Sequence, residues 1–380
     1  MKLDILNITA GGMSGGQIKY LFHLLPGLIS NPLIDSIVCT LPKKFTFDGL
    51  LPKHHKIRFV RVNPYSIINI KLGKELNSIL DEFAPDVVYI PVERFFLYKK
   101  APVVMMLRNM EPFIHPYAGN PLFVKIKNWL RFKNASQALR KADRIIAISE
   151  FVKDYLINQL HIDSEKIGLV YHGGGERIIQ SQKPSCIPEA LGKFIFSAGS
   201  IRPARGLEDL FEAFRYLAHQ NVKVPLVVAG TADRLMRHYH RALKHWLNKN
   251  NLSANVIWAG NLNESEMSWC YQNCSVFVMT SRVESFGFIA LEAMFNGCIC
   301  ISANNPCLPE IFGDSALYYA PKDAGKLTEQ IRTVLAMTQI ERSKMSSQAK
   351  ATSSKFTWDV CTKKTVEELM LAKEFFDNRI

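Results

Sequence analysis

Short apolar runs recur along the chain with room for one helix between successive runs, and this rhythm restricts the fold more than any single motif does. The first series occupies residues 3–9, 36–40, 57–62, 86–91, 103–107, 144–148 and 167–171. A second series starts at 194–198 and continues through 225–229, 255–259, 275–280, 298–302 and 316–319. Runs this short, apolar on both faces and rich in Val and Ile, are what strands covered by helices on both sides of a parallel sheet require. Strand alternating with helix implies an α/β protein with doubly wound parallel sheets, and the restart implies two of them. At 380 residues each sheet has enough chain for its own core. Between the two series, Gly173, Gly174 and Gly175 lead into a polar stretch with Pro184 and Pro188, which reads as a connection. The expected division is a first domain over 1–175, a linker over 176–192, a second domain over 193–356 and a helical tail over 357–380.

The longest apolar runs, such as 101–107 and 275–279, are far too short to cross a bilayer. The first ten residues carry Asp4 and run straight into a strand pattern, so no signal peptide is expected. Eight cysteines without metal-ligand spacing fit a reduced, cytoplasmic compartment, and no metal site is expected. The net charge of +13 is uneven, with +9 over residues 1–180 and +4 over the rest. Within 122–144 stand Lys125, Lys127, Arg131, Lys133, Arg140, Lys141 and Arg144 against Asp143 alone. Phe123, Ile126, Trp129, Leu130 and Phe132 are interleaved with them. Such a helix either lies on an anionic membrane surface or is a solvated face packed on the sheet. No helix-turn-helix, finger or aromatic RNA-binding pattern supports a nucleic-acid partner.

The stretch 281–294 (Ser-Arg-Val-Glu-Ser-Phe-Gly-Phe-Ile-Ala-Leu-Glu-Ala-Met) joins the strand at 275–280 to a helix expected over 288–296, with Gly297 past its end. The first helical N–H groups, about Phe286 to Ile289, have no intrahelical partner and favour an anion at the carboxyl end of the sheet. Gly287 lets the backbone come close to a phosphate. Ser285, Phe286, Gly287 and Phe288 would form that cradle. Glu284 in the loop would lie beside whatever the phosphate carries, and Glu292 on the helix would accept hydrogen bonds from hydroxyls further along the ligand. A phosphate cradle between two hydroxyl acceptors suits a sugar nucleotide.

Glu284-x-Phe286-Gly287-x4-Glu292, then Ala293-Met294-x-x-Gly297 and Pro309-Glu310-Ile311, resembles the retaining family-4 glycosyltransferases of the GT-B fold. The glycines at 11–16 after the first strand, Ala142-Asp143-Arg144-Ile145-Ile146-Ala147-Ile148-Ser149, and Gly199-Ser200-Ile201-Arg202-Pro203-Ala204-Arg205-Gly206 extend the resemblance over nearly the whole chain. It implies two facing doubly wound, Rossmann-like domains with the C-terminal helix returning to the first. The first domain would bind the acceptor, the second the nucleotide-diphosphate sugar, and hinge closure about the linker would assemble the site. By the same resemblance Glu284 contacts the donor sugar, Glu292 the ribose, and Glu310 either a donor hydroxyl or only the start of a short helix. Gly15 and Gly16 would approach the ligand across the cleft.

No Asp-x-Asp motif is present, so another group must neutralise the departing diphosphate. Arg202 and Arg205, in the loop after the strand at 194–198, are the candidates, and no metal is expected to be needed. The family usually shows Gly-Arg at the strand end and Lys before the later Gly, where this chain has Ser200 and Arg205. Many relatives carry His after the strand at 103–107, whereas this chain has Arg108 and Asn109, with Glu111, His115 and, at another strand end, His172. Asn109 is the expected replacement in the catalytic set. The expected activity is retaining transfer of a sugar from a UDP- or GDP-sugar to a glycan or lipid-linked acceptor in cell-surface polysaccharide or lipopolysaccharide synthesis. The enzyme would be cytoplasmic or peripheral on the inner membrane face. Alternatives are a non-catalytic sugar-nucleotide-binding or scaffold protein of the same fold, and a sugar-nucleotide 2-epimerase.

Overall fold

The computed structural model describes residues 1–9, 13, 15–46, 49, 51–64, 70–114, 120–174 and 180–378. Gly11, Gly12, His115 and residues 175–179 of the expected connection lie outside them. The chain divides into two compact units, one of residues 1–112, 128–173 and 356–380, the other of 113–127 and 174–355.

The first unit holds a seven-stranded sheet in the order β3-β2-β1-β4-β5-β6-β7. Its strands are β1 (Lys2–Leu6), β2 (Ser36–Pro42), β3 (Ile57–Val62), β4 (Val87–Ile90), β5 (Val103–Leu107), β6 (Arg144–Ala147) and β7 (Ile167–Leu169), all paired in parallel. Every residue of β4, β5 and β6 is buried, which explains why those runs show no polar alternation. The connecting helices are α1 (Gly15–Ser30), α2 (Ile70–Phe83), α3 (Leu122–Lys141, of which residues 122–127 are grouped with the second unit) and α4 (Glu150–Asn158). The Ser149 side chain caps α4 by accepting from the Val152 N–H.

The second unit holds six parallel strands in the order β10-β9-β8-β11-β12-β13. They are β8 (Ile195–Ala198), β9 (Leu226–Ala229), β10 (Val256–Gly260), β11 (Val276–Met279), β12 (Cys300–Ala303) and β13 (Ala316–Tyr319). Its helices are α5 (Leu207–His219), α6 (Arg237–Lys249), α7 (Glu264–Asn273), α8 (Phe288–Phe295), α9 (Cys307–Phe312), α10 (Ala324–Ala336) and α11 (Gln339–Ser353). Both sheets reverse strand order at the first strand of the unit, which leaves a crevice at the carboxyl edge beside β1 or β8.

The last helix, α12 (Trp358–Asp377), belongs to the first unit. Trp358 stacks on His23 of α1 at 4.7 Å and 7°, and Glu368 pairs with Arg144 at the start of β6. Its own Cys361, Leu369 and Ala372 are buried.

Three boundaries differ from the sequence expectation. Helix α1 begins at Gly15, so Gly15 and Gly16 form its first turn rather than a loop before it. First-turn N–H groups need no intrahelical partner, which removes part of the usual penalty on glycine there. Helix α3 stops at Lys141, short of the basic 122–144 stretch, while Arg144 opens β6 as the run at 144–148 implied and pairs with Glu368. The connection is bonded to the second unit from Gln180 on: its carbonyl accepts from Ser265 Oγ at 3.0 Å, and Ile187 is buried.

One core residue carries an electrostatic cost. Asp4 in β1 is fully buried, and neither carboxylate oxygen has a hydrogen-bond partner. Burial pushes its pKa up to about 8, against a smaller opposing effect from Arg58. The unfolded chain releases this proton near the ordinary carboxylate value, ~3.9. The folded chain therefore holds the extra proton between those limits, and stability falls as pH rises through that window. Urea unfolding followed from about pH 5 to 8 should show this decline, up to ~1.4 kcal/mol per pH unit. Asp4→Asn should flatten it, and equal slopes in the two proteins would refute the assignment.

Candidate donor-binding and active site

Strands β8 and β11 are neighbours at the centre of the second sheet, so the loops at their carboxyl ends emerge side by side. The β8 loop runs through Arg202 into a single 3₁₀ turn, Pro203–Arg205, that leads directly into α5. The β11 loop carries Thr280 to Gly287 and leads into α8.

Main-chain bonds hold the two loops together. The Arg282 N–H donates to the Ala204 carbonyl at 2.9 Å, and Thr280 Oγ1 donates to the Arg205 carbonyl at 2.6 Å. Gly206, between the 3₁₀ turn and α5, has φ +61°, and a Cβ there would stand 2.4 Å from the Thr280 carbonyl oxygen. Only glycine permits that approach.

Across this contact the Arg205 guanidinium pairs directly with the Glu284 carboxylate and donates from Nη1 to Ser281 Oγ at 3.0 Å. Both side chains are largely shielded, at 24% and 12% exposure, so the pairing is stronger than one on an open surface. The sequence assigned these residues separate roles and did not anticipate that they touch. Arg202 turns the other way, to Asp233 at 3.2 Å, and is not brought to Glu284 as Arg205 is.

Gly287 is the N-cap of α8 at φ +95°, a left-handed conformation that explains glycine at this point of the motif. Ala290 N–H donates to the Gly287 carbonyl at 2.9 Å, so the first-turn donors expected to face an anion lie before it, ending at Ile289. Phe286 is buried against Phe288, ring centroids 5.7 Å apart, which leaves its backbone rather than its ring to face a ligand. Ser285 is buried beside it.

Glu292 is half-buried on α8, and Tyr271 of α7 donates its hydroxyl to Glu292 Oε2 at 3.3 Å. Burial and that carboxylate raise the Tyr271 pKa, so the phenol keeps its proton and acts as a donor. Tyr271 was missed in the sequence, where it is an apolar-face residue of a helix distant along the chain. Glu310 is half-buried in the first turn of the six-residue α9.

Arg282 was also missed. Its Nη2 donates to Asp209 Oδ1 at 2.8 Å and lies 3.5 Å from Glu208 Oε2, both in the first turn of α5.

In the first unit the carboxyl edge holds Gly15, Gly16, Arg108 and Asn109. Arg108 Nη2 donates to the Gly16 carbonyl at 2.7 Å, and its guanidinium lies 4.6 Å from the centre of the Tyr20 ring. The Arg108 N–H donates to buried Glu93 at 3.3 Å. Asn109 Oδ1 accepts from the Glu111 N–H at 3.0 Å, an Asx turn that orients the loop. His172 is buried against Tyr20 at 4.9 Å; burial and Arg108 hold its pKa well below the usual value, so the imidazole is neutral.

Two cavities, of about 460 and 470 Å³, lie on other surfaces of the second unit. Neither is lined by Arg205, Glu284 or Glu292, so size alone does not mark the site.

Residues 187–352 match the family described as Glycosyl transferases group 1, and residues 14–173 match Glycosyltransferase Family 4. The chain belongs to the family-4 glycosyltransferases and has the GT-B fold. It is 28% identical over 255 residues to the serotype-specific mannosyltransferase WbdA of Escherichia coli, covering 64% of this chain and 30% of WbdA. It is 23% identical to the O-antigen chain mannosyltransferase B of Escherichia coli, covering 63% of each. The chain thus spans less than a third of the length of WbdA and under two thirds of the second relative. Among solved structures, HepE of Anabaena in complex with UDP and glucose superposes with a TM-score of 0.73 at 19% identity, covering 97% of this chain and 99% of HepE.

The two acidic residues of the motif should separate in binding experiments. Glu292→Ala is expected to weaken binding of the free nucleotide diphosphate about tenfold, the loss of roughly one charged hydrogen bond. Glu284→Ala should leave that affinity near wild type and reduce turnover of the complete donor. Isothermal titration with UDP and GDP checks this, and equal weakening in both variants would contradict the division.

Proposed function

We propose that this protein transfers a hexose from a nucleotide-diphosphate sugar to a glycan or lipid-linked acceptor, with retention of configuration, in cell-surface polysaccharide or lipopolysaccharide synthesis. The observation that carries the reading is the shielded Arg205–Glu284 pair beside the N-terminus of α8. The phosphates would lie at the Phe288 and Ile289 N–H groups, with Ser285, Phe286 and Gly287 as the wall of the cradle. Arg205 would leave Glu284 for the diphosphate, and Glu284 would then be released to accept from a sugar hydroxyl. Glu292, oriented by Tyr271, would hold the ribose, and Glu310 would contact the donor from the next loop. Arg202, Gly15, Gly16 and Asn109 complete the proposed set.

In the reaction the bond from the anomeric carbon to the diphosphate oxygen breaks, and one from that carbon to the acceptor oxygen forms on the same face. The acceptor proton passes to the departing diphosphate. The chain's contribution is to hold the reactants and stabilise the charge that develops on the leaving group, a cation's task that Arg205 performs without a metal. The two relatives named above are mannosyltransferases by name, which makes mannose the first sugar to test.

Turnover of a UDP- and GDP-hexose panel that includes the mannose donor should survive EDTA. Arg205→Ala should lose ~3 kcal/mol of transition-state stabilisation, about a hundredfold in rate. Activity lost in chelator and restored by Mn²⁺ would overturn metal independence. Nucleotide binding without release of diphosphate from any donor would favour the non-catalytic alternative.

We further propose that the protein docks on the inner, anionic membrane face through α3. The helix leaves Leu122, Phe123, Ile126, Trp129 and Leu130 exposed by 72, 64, 49, 51 and 43%. These positions repeat at helical spacing and form one apolar stripe open to solvent. Lys133, Arg140 and Lys141 are exposed along the same helix, while Lys125, Lys127 and Arg131 are half-buried and Arg144 is occupied by Glu368. The basic residues would attract anionic lipid, and the stripe would enter the headgroup layer. None of the helices among the described residues is long and apolar enough to cross a membrane. Phosphatidylglycerol vesicles should co-sediment the protein. Replacing Phe123 and Trp129 by Glu should reduce that binding at least tenfold, since each buried aromatic contributes ~2 kcal/mol, without altering nucleotide affinity. No sedimentation, or equal sedimentation of the variant, would return α3 to an ordinary surface helix.

A further inference from the structure

Three arginines stand within the 202–206 and 280–287 loops, and of these Arg205 pairs with Glu284. Arg282, two residues from Glu284 in sequence, is drawn to Asp209 Oδ1 at 2.8 Å and Glu208 at 3.5 Å. Asp209 is 4% exposed, and its other oxygen accepts the Lys322 N–H at 2.8 Å and the Tyr319 hydroxyl at 3.5 Å. Lys322 holds φ +74°, a conformation that a non-glycine residue takes only at some cost and that the surrounding contacts must stabilise. One buried carboxylate thus ties together α5, the segment after β13 and the loop that carries Glu284.

The same loop is bonded to the β8 side at Ala204 and Arg205 by the main-chain contacts described above. Those bonds fix the start of the loop, and the acids of α5 hold it again at Arg282. Without the Asp209 charge that guanidinium, 18% exposed, keeps only Glu208 at 3.5 Å, and a shielded charge that loses its partner is strongly disfavoured.

We propose that Asp209, with Glu208, is a positioning carboxylate for sugar transfer. It anchors Arg282, and through it the loop that carries Glu284, so that Glu284 stays placed against Arg205 in the empty site and Arg205 turns to the diphosphate in the loaded one. Arg282 and Asp209 act through Arg205 and Glu284 and touch no substrate. The inference rests on the transferase reading of the site.

The test uses the full chain with Asp209→Asn, Arg282→Gln and Arg282→Lys, beside Arg205→Ala and Glu284→Ala. Active-site concentration is titrated with UDP or GDP, so that misfolded protein is not counted. Asp209→Asn and Arg282→Gln should lower kcat at least tenfold, with the free-nucleotide Kd within about threefold of wild type. Arg282→Lys, which keeps the charge on Asp209, should recover part of the loss. A merely structural role would lower the melting temperature and the titratable fraction while leaving kcat per site unchanged.

A second measurement needs no turnover. Amide hydrogen exchange should quicken in 280–287 and 203–207 in Asp209→Asn and Arg282→Gln, with the central strands β8 and β11 still protected. Wild-type kcat per site in both variants, or unchanged exchange in those loops, overturns the proposal. Should Arg205→Ala and Glu284→Ala also turn over normally, the reading of the donor site falls and the positioning role falls with it. Loss in those two alone rejects only the positioning role.

Discussion

The adjacency of β8 and β11 in the second sheet is the constraint from which the site follows. Parallel strands related by a helical crossover present their carboxyl ends on one edge, and reversal of strand order at β8 opens a crevice there. Loops that lie some 75 residues apart in sequence are consequently close enough for Thr280 to bond Arg205 and for Arg205 to pair with Glu284. The hydrophobic core beneath, with Ile195, Val276, Val278 and Ile301 fully buried, keeps both strands from shifting. The charged pair at the mouth of that core is shielded, and its attraction is correspondingly stronger than on an open surface.

Charge compensation then separates the roles of the cations. Arg205 pairs with Glu284, 12% exposed, whereas Arg282 pairs with Asp209, 4% exposed. In the first unit Arg108 is treated differently again. Its guanidinium is compensated by the Gly16 carbonyl and the face of Tyr20, with Glu93 on its own N–H. The position where many relatives carry His is therefore a fixed cation that braces the start of α1, and the neutral His172 nearby is part of the same packed cluster. Held well below its ordinary pKa by burial and Arg108, His172 does not take up a proton near neutral pH as an ordinary imidazole does.

Much of this was legible in the sequence. The thirteen strands among the described residues coincide with the expected runs; central ones such as β4, β5 and β11 are short and apolar because both faces are buried, whereas edge strand β3, with Arg58 and Arg61, is only partly buried. The motif around Gly287 could be read because a strand-to-helix turn with φ +95° admits glycine and little else. Less legible were the ends of α1 and α3. First-turn residues of a helix lack intrahelical N–H bonds, and a strand that opens with Arg144 resembles a continuing basic helix until its partner Glu368 is known. The amphipathic reading of α3 located the residues but not the exposed face, since periodicity identifies a stripe without saying what covers it.

By itself the sequence determined the two α/β sheets, their order along the chain, and the turn that bears Glu284, Gly287 and Glu292. These depend on local period and backbone geometry, which neighbouring residues carry. Only the tertiary structure decided that Arg205 meets Glu284, that Arg202 turns to Asp233, that Tyr271 orients Glu292, and that Asp209 retains Arg282. Each of these is a contact between elements brought together by sheet order, and a side chain's choice among several opposite charges depends on distances and burial that one-dimensional spacing does not contain.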